Sequence, residues 1–280
     1  PKLKSFQQMY PTMKYLLLGW PIIAPYERYE YAKNTDNGRL VTLSEGYFGT
    51  IDAMKEGSPY QIVKRGEKSE LPPTLIVQGT ADTNLPVPIT EQYADDYRAA
   101  GGDMEFIPDI TIKDGQLING GDWTFESIHT PGHTSNHVCF HLVEENVLFP
   151  GDHVMGWSTT VVSPPDGNMT EYMDSLRKLS ERNDHLYYPT HGAPISNPQK
   201  FVRGILVHRK MRESQILDCL EKNISTISMM VEHMYKGLDH RLIGAAKHSI
   251  FAHIIDMSSR GIIESQDQIS INASYNRTQS

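Results

Sequence analysis

All 12 histidines of this chain lie at or beyond His129, and the residues before it contain none. A single continuous domain does not ordinarily sort one residue type so sharply. The chain therefore reads as segments of different origin, residues 1–107, 108–207 and 208–280, each to be judged on its own pattern. The composition is that of a folded globular protein, 39% apolar and 21% charged over 280 residues. The best apolar run, Tyr15 to Ala24, is interrupted by Gly19 and Pro21 and falls short of the roughly 20 residues that cross a bilayer. No membrane partner is expected. Cys139 and Cys219 are too few for a disulfide framework, and Pro1 does not open a secretory leader, so the expected location is cytoplasmic. A net charge of −8 argues against general nucleic-acid binding.

In the first segment, Leu71-Pro72-Pro73 precedes the apolar run Thr74 to Gln78, which stops at Gly79-Thr80-Ala81-Asp82. A short apolar run bounded by Pro and Gly predicts a buried strand. Ile89, Tyr93 and Tyr97 recur every four residues behind Pro88 and end at Gly101-Gly102, which predicts a helix; Met104 to Phe106 predicts another strand. This alternation is that of an α/β fold. The stretch Leu71 to Phe106 resembles the C-terminal part of esterase-like α/β-hydrolases and extends back to about Tyr10. By that resemblance, Asp82 is the acid of a Ser-His-Asp triad. A triad also needs a serine on a sharp turn and a histidine base. No G-x-S-x-G occurs, and no histidine lies between Asp82 and His129. A serine esterase is thus an alternative with parts missing, and Asp82 more simply caps the following loop or helix.

The second segment alternates apolar and polar residues at Ile110 to Ile112 and at Trp123 to Ile128, with a turn at Lys113-Asp114-Gly115, as a half-buried sheet does. Strands are further predicted at Val138 to Val143 and Val147 to Phe149. Three loops behind predicted strands share one design, a His or Asp beside a glycine: Thr130-Pro131-Gly132-His133-Thr134, Gly151-Asp152-His153 and Pro189-Thr190-His191-Gly192. Imidazole and carboxylate are good zinc ligands, and glycine lets the backbone approach closely. In order and spacing these loops resemble the C-terminal half of the metallo-β-lactamase superfamily. The resemblance implies that His133 binds a first metal, Asp152 bridges two metals and His191 binds the second. His137 and His153 would be groups that orient those ligands or face substrate. It also implies zinc, one or two ions, and half of an αββα sandwich. The superfamily's H-x-H-x-D-H motif is missing, so one weakly held ion is expected rather than a dinuclear centre. Met169-Thr170 opens a further predicted helix with Thr170 as N-cap, Met173 and Leu176 facing the core. Trp157 suits either a pocket wall or burial.

The third segment predicts helices over His208 to Lys222, Ile224 to Tyr235 and Leu242 to Ser258, then a turn at Gly261 into a strand. Three helices and a strand resemble the small winged-helix domain that follows some metallo-β-lactamase-fold hydrolases. Such a domain can present a helix to nucleic acid, and Arg209, Lys210 and Arg212 cluster there. Nine basic against eight acidic residues in 208–280 favour packing or dimerisation instead. The polar tail from Gln266 is expected to fray.

The whole is thus expected to be an α/β chain: a partial α/β-hydrolase-like module, a metallo-β-lactamase-like half and a winged-helix-like domain. Its expected activity is that of a metal-dependent hydrolase of a small ester, thioester, lactone or phosphodiester. The alternative is an inactive fused or truncated chain serving as an interaction module. A lone half sandwich leaves an apolar sheet face uncovered, an incentive to pack on residues 1–107 or to form a homodimer.

Overall fold

The chain divides into two units, Pro1–Ile112 and Lys113–Ser280, each with a sheet of its own. The computed structural model describes residues 16–17, 25–35, 50–56, 58–67, 71, 74–78, 86–108, 112–120, 123–265 and 267–278. Asp82 and the alternating residues Ile110-Thr111 lie outside the described residues.

The first unit contains, in chain order, β1 (Leu16–Leu17), α1 (Pro25–Asn34), α2 (Ile51–Glu56), α3 (Pro59–Lys64), β2 (Thr74–Gln78), α4 (Val87–Ala99) and β3 (Met104–Pro108). Its sheet is parallel, in the order β1-β2-β3, with Leu16 opposite Thr74 and Thr74 opposite Met104. A strand–helix–strand unit joins β2 to β3 through α4, and the four-residue spacing of Tyr93 and Tyr97 places both on the buried side of that helix. Tyr60, Tyr93 and Tyr97 form an edge-to-face ladder with successive ring centroids 5.7 Å apart, beside Ile76 and Met104.

The second unit is built on a five-stranded sheet, β4 (Leu117–Gly120), β5 (Trp123–His129), β6 (Val138–Leu142), β7 (Val147–Phe149) and β8 (Leu186–Tyr187), in that order. All neighbours are antiparallel except β7 and β8. Because side chains alternate across a strand, one face carries Ile128, Cys139, Leu148 and Tyr187 in a common core. The other carries an aromatic row in which Phe125 meets Trp123, Phe140 and Phe149 at ring distances of 5.2 to 6.2 Å.

Between β7 and β8 runs α5 (Met169–Ser180), which buries Tyr172, Met173, Leu176 and Leu179 on the core face. Its cap is Asn168, whose side chain accepts from Glu171 N, and not Thr170 as expected. The Thr170 hydroxyl instead donates to Asp256. A single helix, α6 (Pro198–Glu221), then runs straight through 207/208, where the sequence divides the segments. Pro198 at its start supplies a preset helical φ and needs no N–H partner. Val202 and Ile205 at its head belong to the sheet core, while Ile216, Cys219 and Leu220 at its tail join a second core.

That second core is completed by α7 (Ile227–Met234), a short 3-10 turn His240–Leu242, α8 (Ile243–Ser259), β9 (Ile263–Glu264) and β10 (Asn276–Arg277). Ile250, Ile254 and Met257 of α8 and Ile227 and Met230 of α7 are buried in it. The tail does not fray as expected. Asn276–Arg277 pairs antiparallel with β9, and Tyr275 is fully buried with its hydroxyl donating to Ser270 O at 2.5 Å. A polar stretch with one buried aromatic anchor is enough to hold a terminal strand in place.

Gly204 sits inside α6, where glycine costs about 1 kcal/mol relative to alanine in backbone entropy. A Cβ at Gly204 would meet nothing within 4 Å, so packing does not require the glycine.

Candidate metal centre

The three loops singled out by sequence all leave the sheet at β5, β7 and β8. Behind β5, the turn 131–137 is clamped onto the start of α5: Asn168 N donates to Gly132 O at 2.9 Å and Ser175 Oγ to Pro131 O at 2.8 Å. Gly132 has φ +131°, and a Cβ there would stand 2.3 Å from the Tyr172 backbone, so only glycine permits this approach. The turn is closed on its other side by Ser135, whose N and Oγ donate to Asp166 Oδ1. Those bonds hold the Asp166 carboxyl below the usual carboxylate range.

The clamp aims His133. Its Nδ1 lies 2.6 Å from Val161 O and 3.1 Å from Thr160 Oγ1. A carbonyl can only accept, so Nδ1 carries the proton and Nε2 is left with its lone pair. That Nε2 stands 4.0 Å from Asp152 Oδ2. Asp152 follows β7, and its second oxygen, Oδ1, lies 3.6 Å from His191 Nε2. His191 follows β8, fixed by Gly156 N donating to its carbonyl at 2.7 Å. The loops of 156 and 192 pass so closely that a Cβ on Gly192 would lie 2.8 Å from Gly156.

His133, Asp152 and His191 are therefore neighbours in space. Asp152 Oδ1 is buried and has no hydrogen-bond partner among the described residues. A buried carboxylate oxygen with nothing to accept from is costly unless a cation or proton donor meets it. Two donors held by one zinc at about 2.0–2.2 Å stand roughly 3.4 Å apart, close to the 3.6 and 4.0 Å separations found here. Imidazole and carboxylate are the donor types that zinc takes, and the unmet oxygen is the kind of atom a cation would satisfy. Among the described residues, no group of three His, Cys, Asp or Glu side chains, this trio included, stands close enough as placed to hold a metal ion.

Beside this trio, three more rings follow in edge-on and tilted contacts. His137 lies 6.2 Å from His133 and 5.4 Å from His153, and His153 lies 4.6 Å from Tyr172, between ring centroids. The Thr130 hydroxyl meets His137 Nδ1 at 2.9 Å. Burial, reinforced by His133 and His129, pushes His137 down to about 3, and burial drives His153 well below the ordinary histidine value. Both imidazoles are neutral at physiological pH. His153 is fully buried, and neither of its ring nitrogens has a hydrogen-bond partner among the described residues. Neither ring shares a hydrogen bond with His133, Asp152 or His191, so their influence on the trio is through packing and polarity.

Arg209 is a residue whose role sequence did not disclose. Grouped by sequence with Lys210 and Arg212 as a basic cluster, it is instead 3% exposed. Its Nη2 donates to Thr160 O at 2.5 Å, and its guanidinium lies 5.2 Å from the Tyr172 ring. Thr160 in turn contacts His133, so α6 reaches the centre through one hydrogen-bonded residue. Trp157, by contrast, is not buried. It is 73% exposed, and its indole stacks on the His191 ring at 6.0 Å and 15°.

Among the described residues, no helix is long and apolar enough to cross a membrane. The family model of the metallo-beta-lactamase superfamily matches residues 48–191, just over half of the chain. Its match begins at residue 48, inside the segment 1–107 that was expected to be an α/β-hydrolase fragment, and no comparison supports that expectation. The beta-lactamase associated winged helix domain matches residues 226–271. An atrochrysone carboxyl ACP thioesterase of Aspergillus fumigatus is 38% identical over 127 residues, covering 44% of this chain and 39% of that protein. A lactamase-like protein of Arthroderma gypseum is 40% identical over 114 residues, covering 41% of this chain and 35% of that protein. The matched region is thus well under two thirds of the length of these relatives. A metallo-beta-lactamase family protein from Thermus thermophilus superposes with a TM-score of 0.53 at 17% identity, covering 84% of this chain and 68% of its own. A beta-lactamase domain protein from Burkholderia ambifaria gives 0.56 at 19%, covering 73% and 67%. At these identities the structural likeness is one of fold, mixed α/β with a helical winged-helix domain behind it. With a family match over more than half its length, the chain belongs to the metallo-beta-lactamase superfamily.

Proposed function

We propose that this chain is a metal-dependent hydrolase of an ester or thioester, with the cation held by His133, Asp152 and His191. The observation that carries the reading is the Asp152 carboxylate set between two imidazoles, with Oδ1 buried and lacking a hydrogen bond and with one imidazole having its tautomer fixed for ligation. The thioesterase name of the Aspergillus fumigatus relative supports the substrate class. When bound, a zinc ion supplies Lewis acidity and lowers the pKa of water.

The protein's own part is electrostatic and geometric. Asp152 offsets the charge of the cation, and Val161 O holds the His133 ring in its ligating tautomer. The neutral rings of His137 and His153 add no competing positive charge. Glycines 132 and 192 let two of the three loops approach closely without side chains in the way.

The test is hydrolysis of an aryl thioester by the purified full chain, with zinc, with chelator, and with zinc restored. Hydrolysis that needs zinc and falls by about a hundredfold or more in Asp152→Asn is expected. A rate indifferent to chelator and to that substitution contradicts the proposal.

A further inference from the structure

A groove of about 650 Å³ opens beside His191, walled by the loops 156–159 and 193–197 and by one face of α6. Its lining is mostly apolar, including Trp157, Pro194, Ile195, Phe201 and Ile205. Three features suggest that it serves a ligand.

Trp157 is the first. A tryptophan 73% exposed is a large apolar surface left in water, and here one ring face is stacked on a proposed ligand of the metal centre. The indole thus forms a continuous wall from His191 into the groove. Gly204 is the second. It lies on the groove-lining face of α6, in the second turn of that helix, where a Cβ would touch nothing. Packing does not demand glycine at this position, and a methyl there would enter the groove only slightly, whereas a large side chain on this face would close it. The third is the pair of glycines, 156 and 192, at the crossing of the two loops. Each would clash with the other loop if it carried a side chain, so the groove floor is held in one shape by backbone.

We propose that this groove binds the flat aromatic acyl group of the substrate, with Trp157 as its stacking wall and Gly204 setting its depth. The inference rests on the hydrolase reading above for the position of the reacting carbonyl, at the Asp152 end. An aromatic ring suits a site bounded by an exposed indole and Phe201, since aromatic faces attract beyond their area alone. Within that class, Lys200 on the same helix face favours a ring bearing an anionic substituent.

Binding can be read without turnover. Acetylnaphthalene, a neutral aryl ketone that cannot be hydrolysed, is titrated calorimetrically into the full chain, with decanone as an alkyl control. The aryl ketone is expected to bind the more tightly. Gly204→Phe and Trp157→Ala should each weaken it at least about tenfold. Gly204→Ala, which fills little of the groove, should retain binding and raise the melting temperature, showing that α6 tolerates a side chain there. Equal affinity in Gly204→Phe and the unsubstituted chain, or equal affinity for aryl and alkyl ketones, overturns the proposal. Zinc content measured on the same samples keeps the two readings apart. Aryl binding without zinc overturns the metal centre but leaves the groove; zinc without aryl binding does the reverse.

Discussion

Two clusters of histidine and carboxylate are set on the same five-stranded sheet, and they are chemically alike but structurally opposite. At His141, Nδ1 meets Glu126 Oε2 at 3.3 Å, and Nε2 meets Asp184 Oδ1 at 3.4 Å and Asn146 Oδ1 at 3.3 Å. Asp184 is buried and takes two further bonds of 2.8 Å from Arg182. Both of its carboxylate oxygens have protein partners. At His133 the same residue types leave Asp152 Oδ1 unmet and His133 Nε2 with a free lone pair. A closed network of this kind stabilises; an open one of the same composition leaves an acceptor unmet, which is the basis of the proposed metal centre. What distinguishes them is not the residues but whether the protein supplies all their partners.

The sharpest way to break this comparison is to delete each carboxylate. Asp184→Ala strands Arg182 and His141 in a buried setting and is expected to cost about 3–5 kcal/mol in urea denaturation. Asp152→Ala removes an unsatisfied group and is expected to change stability by less than about 1 kcal/mol. Equal losses would erase the distinction.

A smaller effect is expected at Arg209. Replacing it with Met keeps every proposed ligand but removes the bond to Thr160 O that steadies His133. Zinc affinity should fall about 10–100-fold, measured by competition with a chelating dye. No change would mean that the His133 turn is rigid without α6.

Next in size is a pH effect from a histidine that belongs to neither cluster. Burial, with Arg209 and Arg212 next, pushes His253 down to about 3. An unfolded chain takes up this proton near 6.5 and the folded one does not. Stability is thus fullest above 6.5 and is lost as pH falls from there toward about 3, by at most about 1.4 kcal/mol per pH unit. His253→Leu should flatten denaturation midpoints measured between pH 7 and about 5. An unchanged slope would assign the acid sensitivity to other groups. The smallest expected change is a gain of about 1 kcal/mol from Gly204→Ala, read as a rise in melting temperature.

Much of this is legible in the sequence where the signal is local. Glycine beside a ligand-type residue marks His133, Asp152 and His191 because close backbone approach is a property of the adjacent residue. Strand alternation places β5, β6 and β7, and the four-residue spacing of Tyr93 and Tyr97 places α4. Sequence favours Thr170 as the cap of α5, although Asn168 stands three residues before Glu171, a capping pattern that competes with it from two positions away. The head of α6 escapes a periodicity reading because the apolar Val202 and Ile205 face one core and Ile216 and Cys219 another, which blurs a single amphipathic stripe. Arg209, Thr160 and Val161 are not legible as supports of His133. They act through contacts between distant parts of the chain, and a buried arginine has the same letter as an exposed one. Asp82 lies outside the described residues, and so its triad reading adds nothing to the site.

Calorimetric titration of zinc into the metal-stripped full chain, beside Asp152→Asn, tests the central claim most directly. The account predicts one ion bound per chain, with binding lost in Asp152→Asn while the melting temperature of the metal-free protein stays within a few degrees. No heat of binding in the unsubstituted chain, or equal binding in both, would contradict it.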